Sequence, residues 1–303
     1  MTASDGERKV GPRMLSVIIA AHDEESVIGA TLDALLADPG TEGAEVIVSA
    51  NGCSDRTVGV AAARGVIVVD RPEPGKAAAL NAADGIATGK TRMYLDADIR
   101  VPFGAVATLL GYFDTAAPPL AVVPRRRMDT SASSWGVRAY VSVSERLPAF
   151  RHGLFGRGLI LLSETGRAKF EEFPALIADD LYVDSRFADD ERAEAPDVVI
   201  TVEAPRTARS LLRRLIRVRR GNAQLRAAAA RGELDAPVRP ADRLSWWRDV
   251  VAPDPRLLPA GVVYCAITLL ASVLARRPPK RDDWAPDRST GVTHPPRTAS
   301  GAA

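Results

Sequence analysis

Arg92-Met93-Tyr94-Leu95-Asp96-Ala97-Asp98 is an apolar run that ends in two carboxylates one residue apart. Three earlier runs share its form, Leu15 to Ala20, Glu45 to Ser49 and Val66 to Asp70. Runs without sustained polar alternation suit strands buried on both faces of a sheet. Helical stretches separate them. Ser26 to Asp38 sets Val27, Ile28, Leu32, Leu35 and Leu36 on one face, and Ser54 to Arg64 and Lys76 to Ala87 are rich in alanine. Strand and helix alternating at this spacing predict an α/β fold, a parallel sheet with helices on both faces. Ligands of such sheets bind beyond the carboxyl ends of the strands, which is where Asp96 and Asp98 fall.

Two carboxylates at a strand end can share a divalent cation with the diphosphate of a nucleotide, and oxygen ligands of this kind suit Mg²⁺ or Mn²⁺. The plain alternative is a solvated loop, since the D-x-D pattern is common. Context favours the cation. The first two strands end in Ala21-His22-Asp23-Glu24-Glu25 and Ala50-Asn51-Gly52-Cys53-Ser54-Asp55, polar clusters on the same sheet edge. Lys76, one of five lysines in the chain, stands at a helix start. A cation there opposes the helix dipole unless an anion lies beside it, and a phosphate would resolve the conflict.

Beyond Asp98 the pattern loosens. We expect a helix from about Pro102 to Phe113, a short strand at Leu120 to Val123, a helix from Trp135 to Arg146 with Trp135 and Tyr140 in the core, and a Gly-rich turn and strand over Phe155 to Leu162. Mixed structure reaches Val202, and Ser210 to Arg231 reads as one long arginine-studded helix. The 303 residues carry 40 Lys and Arg against 38 Asp and Glu, so no global field exists to hold nucleic acid. The charge is segregated: Arg206 to Arg256 holds 13 arginines and five acids. Cys53 and Cys265, 212 positions apart, make no disulfide framework and fit a reducing compartment.

Four segments together resemble family 2 glycosyltransferases: SVIIAAHDEE (16 to 25), VSANGCSDRT (48 to 57), GKAAALNAA (75 to 83) and YLDADIRV (94 to 101), in the family's order and spacing. FGRGLILLS (155 to 163) is similar to its acceptor-side strand, and Asp179-Asp180 stands where the family has its Glu-Asp pair. The resemblance covers about residues 14 to 221. It implies a GT-A fold and inverting transfer from a nucleotide sugar, with a UDP-sugar preferred. His22 and Glu24 would border the base, Asn51 would read its edge, and Lys76 would approach base or diphosphate. Asp96 would face ribose or metal, Asp98 the metal, and Asp180, with Asp179 beside it, would be the general base. Many members have Asp at the place of Asn51, so the base is less firmly implied. Arg217 sits in the place of the Gln-x-x-Arg-Trp arginine and could hold the departing diphosphate; its flanking residues are missing, which argues against a processive polymerase. His152 and His294 are not assigned as ligands.

Inversion supplies its own argument for a second acid. An in-line displacement needs a carboxylate opposite the leaving diphosphate, and Asp98 is committed to the other side. An ordinary acidic helix start is the alternative reading of Asp179-Asp180.

Leu257 to Ala275 has 19 residues without a charge, close to the ~20 of a bilayer span. Cations flank both ends, and Pro259 and Gly261 weaken its start, so we favour a helix embedded in the membrane face over one that spans or packs as soluble core. Trp246 and Trp247 suit the interface, and the basic region suits anionic lipid. The expected organisation is a flexible N-terminus over 1–13, a donor half over 14–100, an acceptor half over 101–235, a basic connection over 236–256, the apolar helix over 257–275 and a disordered tail over 276–303. The expected partners are a nucleotide-sugar donor, a saccharide or lipid-linked acceptor and the inner face of the cell membrane, with the catalytic mass in the cytoplasm. A sugar nucleotidyltransferase would share the core but should carry a glycine-rich loop after the first strand, which AAHDEE lacks. A non-catalytic membrane scaffold would not need Asp96, Asp98 and Asp180.

Overall fold

The computed structural model describes residues 15–277 apart from 177, 235–237 and 239–241. The N-terminal segment, most of the expected tail, and His294 lie outside the described residues. One seven-stranded sheet organises the chain. Its first half follows the expected order: β1 (Leu15–Ala21), α1 (Ile28–Leu36), β2 (Glu45–Asn51), α2 (Thr57–Ala62), β3 (Ile67–Arg71), α3 (Lys76–Ile86) and β4 (Thr91–Asp96). After it come α4 (Ala105–Gly111), β5 (Ala121–Asp129), α5 (Trp135–Ser144), α6 (Pro148–His152), β6 (Leu159–Leu162), α7 (Glu164–Arg167), α8 (Asp179–Asp184), β7 (Arg192–Glu203), α9 (Ala208–Ala230) and α10 (Leu258–Ala275).

The sheet order is β3-β2-β1-β4-β6-β5-β7. β1 pairs in parallel with β2 and β4, and β2 with β3, so the ends of β1, β2 and β4 emerge at one edge. The expectation of a parallel sheet holds for six strands; β6 runs antiparallel to both β4 and β5. Val17, Ile18, Ile19, Val48, Met93 and Leu161 are sealed between the helical layers. The Val66 to Asp70 run, expected to be buried on both faces, is the edge strand β3, with Ile67 exposed. The strand at 120–123 continues to Asp129, and its second half forms a ribbon with β7, in register from Arg125↔Val199 to Asp129↔Glu203.

α10 packs on α5 and α9. Tyr264 stacks on Tyr140, ring centres 4.9 Å apart, and joins Val137, Leu211, Leu215 and Ile267 in a satellite core. At the far end of α10, Arg220 donates to Ala275 O (3.3 Å) and Arg277 O (3.0 Å), which satisfies carbonyls that a helix end leaves free. Arg220 is therefore a clamp on the end of α10. The opposite face of α10 leaves Leu258, Val262, Leu269, Leu270 and Val273 exposed. Trp246 turns inward against Tyr264, so of the tryptophan pair only Trp247, 48% exposed, suits an interface. Trp135, expected in the core, is 64% exposed at the start of α5, while Tyr140 is buried as expected.

Candidate active site

Asp96 is the last residue of β4, and its N–H donates to Gly158 O (2.9 Å), which ties the D-x-D turn to the glycine-rich turn before β6. Gly158 has φ +74°, and a Cβ there would meet Ile99 Cγ1 at 2.6 Å, so the close approach of the two turns requires glycine. From the other side, Thr31 of α1 donates to Ala97 O (2.8 Å). The turn is thus fixed by a strand, a helix and a neighbouring loop. Asp98 is exposed at its outer edge, but it is recessed among protein atoms. This desolvation, followed by the charge of Asp96, raises its pKa. Glu24, half-buried after β1, is pushed up to about 7 by burial and then by the charges of Asp98, Asp96, Asp55 and Asp23. Mutually repelling hard oxygen donors at a sheet edge fit a divalent cation, and Asp96 and Asp98 are the residues that would hold it.

Lys76 opens α3, and the anions beside it are the protein's own carboxylates. Its Nζ lies 2.9 Å from Asp96 Oδ1 and 2.9 Å from Asp179 Oδ2. Burial alone would lower the ammonium, yet the charges of Asp179 and Asp96 override it and hold its pKa well above the ordinary value. Lys76 therefore joins the β4 acids to the start of α8, and the helix-start conflict noted in the sequence is settled without a phosphate.

Asp179 and Asp180 occupy the first turn of α8, where carboxylates complement the helix dipole. Asp180 Oδ2 accepts from the Gly156 N–H (2.8 Å) and Oδ1 from the Leu181 N–H (2.8 Å). Burial, then the charge of Asp179, push Asp180 up to about 6 against the opposing pull of Lys76 and the Gly156 N–H. Three devices set α8 in place. Asn81 of α3 donates to Phe173 O (2.9 Å) and accepts from the Phe173 N–H (2.8 Å). Phe173 meets Tyr94 edge to face, ring centres 5.1 Å apart. Asp184, buried at the end of α8, accepts from the Leu154 N–H (2.8 Å) and pairs with Arg192 (2.7 Å). A cavity of about 60 Å³ lies between these parts, lined by Lys76, Asp96, Gly158, Phe173, Asp179 and Asp180.

On the donor side, Asn51 is 3% exposed; its Nδ2 donates to Ala21 O (2.7 Å) and its Oδ1 accepts from the Gly75 N–H (3.0 Å). It ties the ends of β1 and β2 to the turn before Lys76. His22 Nδ1 donates to Asn51 O (2.6 Å), which orients the ring on the same rim. Asp23, Cys53 and Asp55 present one ligand atom each within 4.8 Å of one another. Their carboxylates already accept from the Ser54 N–H (2.7 Å), the Thr57 N–H (2.9 Å) and the Glu25 N–H (3.1 Å), so they brace this rim. Arg217 is exposed on α9. One turn earlier, half-buried Arg214 is the α9 cation whose charge bears on Asp98. Arg214 and the positioning residue Asn81 were not singled out from the sequence, although Asn81 lies within GKAAALNAA and Arg214 in the arginine run.

The glycosyl transferase family 2 model matches residues 16–163. No curated protein matches the chain. Among solved structures, a mannosyltransferase from Pyrobaculum calidifontis in complex with GDP-Man and Mn²⁺ is 21% identical with a TM-score of 0.58, over 86% of this chain and 74% of that one. Glucosyl-3-phosphoglycerate synthase from Mycobacterium tuberculosis, in complex with phosphoglyceric acid, is 22% identical with a TM-score of 0.53, over 73% and 81%. TarS residues 1–349 from S. aureus, in complex with UDP-GlcNAc, is 16% identical with a TM-score of 0.50, over 63% and 58%. These likenesses establish the GT-A fold. The segment 16–163, which holds the D-x-D turn, Lys76 and the strands that carry them, belongs to glycosyl transferase family 2.

Proposed function

We propose that this protein is a metal-dependent, inverting glycosyltransferase that moves a sugar from a nucleotide-sugar donor, with a UDP-sugar first to be tried, to a lipid-linked or other cell-envelope acceptor at the inner membrane face. One observation carries the reading: Lys76 holds the metal-side acid Asp96 and the α8 acid Asp179 at 2.9 Å each, so that acids gather on two sides of one cleft. Asp96 and Asp98 would hold Mg²⁺ or Mn²⁺, which when bound neutralises charge on the departing diphosphate. His22, Glu24 and Asn51 would border the base, and Lys76 the diphosphate. Arg217 remains a candidate for the same diphosphate, with Arg214 now a stronger one. Asp180 would accept the proton of the acceptor hydroxyl at Oδ1 or Oδ2. A pKa near 6 leaves it ionised at neutral pH while keeping it more basic than an ordinary aspartate, which suits a general base.

Membrane contact is supported by the outward apolar stripe of α10, with Trp247 beside it and exposed arginines on α9. Because α10 is packed along its length on α5 and α9, we read the contact as in-plane, with the catalytic mass on the cytoplasmic side. The test is a screen of nucleotide sugars for Mn²⁺-dependent hydrolysis or thermal stabilisation, with Asp98→Asn as the control. If no donor is bound or cleaved, the reading fails.

A further inference from the structure

Where β5 leaves the sheet it carries Arg125, Arg126 and Arg127, and strand alternation turns the middle one toward the cleft. Arg126 is half-buried. Its Nη1 donates to Gly156 O (3.0 Å) and its guanidinium lies over the Phe150 ring, 4.8 Å from the centre. Among the described residues it makes no ion pair. Glu145, the acid whose charge bears on it most, accepts the Met128 N–H (2.6 Å) instead. Its other N–H groups are neither bonded to described residues nor sealed from solvent.

The neighbours of Arg126 include two more cations, Arg157 and Arg214. Arg157 is 3% exposed and uses four of its five N–H donors: it pairs with Glu194 (2.6 Å) and donates to Pro124 O, Gly153 O and Arg151 O. Arg214 is half-buried and bonds to no described residue. Burial and these like charges push Arg126 down to about 10, although Glu145 and Asp180 oppose it. Two guanidiniums that make no ion pair among the described residues, with a third nearby, offer a site for an anion.

The position of that site relates it to the proposed chemistry. Gly156 is bonded at its O by Arg126 (3.0 Å) and at its N–H by Asp180 (2.8 Å), so one glycine separates the free cation from the candidate base. Its φ of +66° admits this arrangement, and a Cβ there would come within 3.1 Å of Arg126 Nη1. We propose that Arg126, with Arg214 adding charge, binds an anionic group of the acceptor, a phosphate or carboxylate, and so brings an acceptor hydroxyl beside Asp180. The acceptor is then a phosphorylated or acidic hydroxy compound, soluble or carried on a lipid. This rests on the glycosyltransferase reading and falls with it.

The experiment uses the full chain with UDP and Mn²⁺ saturating, so that the donor side is occupied, and titrates inorganic phosphate by calorimetry. Arg126→Gln should weaken phosphate binding roughly tenfold or more, since it removes a charge-assisted contact, and Arg126→Lys should fall between it and wild type. Arg127→Gln, which removes an equal charge from the same strand, should bind phosphate as wild type does. Phosphatidic acid vesicles that displace phosphate from wild type, where phosphatidylcholine vesicles do not, would assign the anion to a lipid headgroup. No displacement would assign it to a soluble acceptor. The proposal is overturned if Arg126→Gln binds phosphate like wild type, or if Arg127→Gln loses it equally. If wild type binds neither UDP nor GDP with Mn²⁺ in the preceding titration, the donor reading itself is refuted.

Discussion

Asp180 provides the sharpest test, because its environment sets activity and stability against each other. Its pKa near 6 predicts that kcat/KM rises with pH through 6, as the base ionises. With a single ionisation at 6, about 9% of the base is available at pH 5 and about 97% at pH 7.5, so the rate should differ about tenfold. Stability runs the other way. The folded pKa lies above the ordinary value of 3.8, so the native state binds the proton more tightly than the unfolded chain. Stability from this group is present below about pH 4 and is lost as pH rises toward 6. A rise of this size corresponds to about 3 kcal/mol at most. Asp180→Asn keeps an oxygen for the Gly156 N–H and removes the repulsion from Asp179. It should therefore melt at the wild-type temperature or higher at pH 7.5, while transfer falls by ~10² or more and UDP binding persists. Lys76→Met, which removes the cation that holds Asp180 down, should move the acid limb of the profile to higher pH. The assays are transfer rates from pH 5 to 8 and calorimetric melting of the same variants. A kcat/KM profile flat from pH 5 to 7 would refute the assignment, and normal transfer by Asp180→Asn with loss in Asp179→Asn would move the base to its neighbour.

Asp98→Asn should abolish Mn²⁺-dependent UDP binding measured by calorimetry, since a neutral amide attracts a hard cation weakly; unchanged binding in the variant, or without Mn²⁺, would remove the metal role. Gly158→Ala should destabilise by about 1–3 kcal/mol through its positive φ and the clash with Ile99, and weaken UDP binding by displacing the Asp96 turn, which melting and titration would read. The double change Leu269→Ser with Val273→Ser should alter melting little, yet abolish vesicle binding that survives high salt, leaving a salt-sensitive part due to the α9 arginines. Tyr264→Ala, on the inward face of the same helix, should cost about 3–5 kcal/mol, so equal melting of the two variants would contradict the two-faced packing of α10.

Much of the first hundred residues was legible because local pattern and topology agree there. β1, β2 and β4 are apolar runs whose ends carry the polar clusters, and parallel pairing necessarily brings Ala21, Asn51 and Asp96 to one edge. The chain beyond Asp98 was read less fully for a physical reason: nothing in Leu159-Ile160-Leu161-Leu162 encodes its direction. The reversal of β6 follows from Gly156 and Gly158 adopting positive φ and from Asp96 N–H reaching Gly158 O, contacts that are long-range in sequence. Trp135 and β3 show the same limit in burial, since an apolar side chain at an edge looks locally like one in the core. Helix phase hid Arg214, because a run of arginines on α9 fixes the face of each only after its packing against the site is known.

The same distinction bears on α10. Composition alone treats its charge-free residues as equivalent, and on that basis a bilayer span and a packed helix cannot be told apart. Packing divides them: Gly261, Tyr264, Ile267 and Ala271 turn toward the rest of the fold, while Leu258, Val262, Leu269, Leu270 and Val273 turn away. A spanning helix would have to give up the Tyr264–Tyr140 stack and the Arg220 clamp and leave Val137 and Leu211 uncovered. Contact through the outward stripe requires none of these losses. If the proposed membrane contact is made, in-plane docking is the geometry that leaves this packing intact.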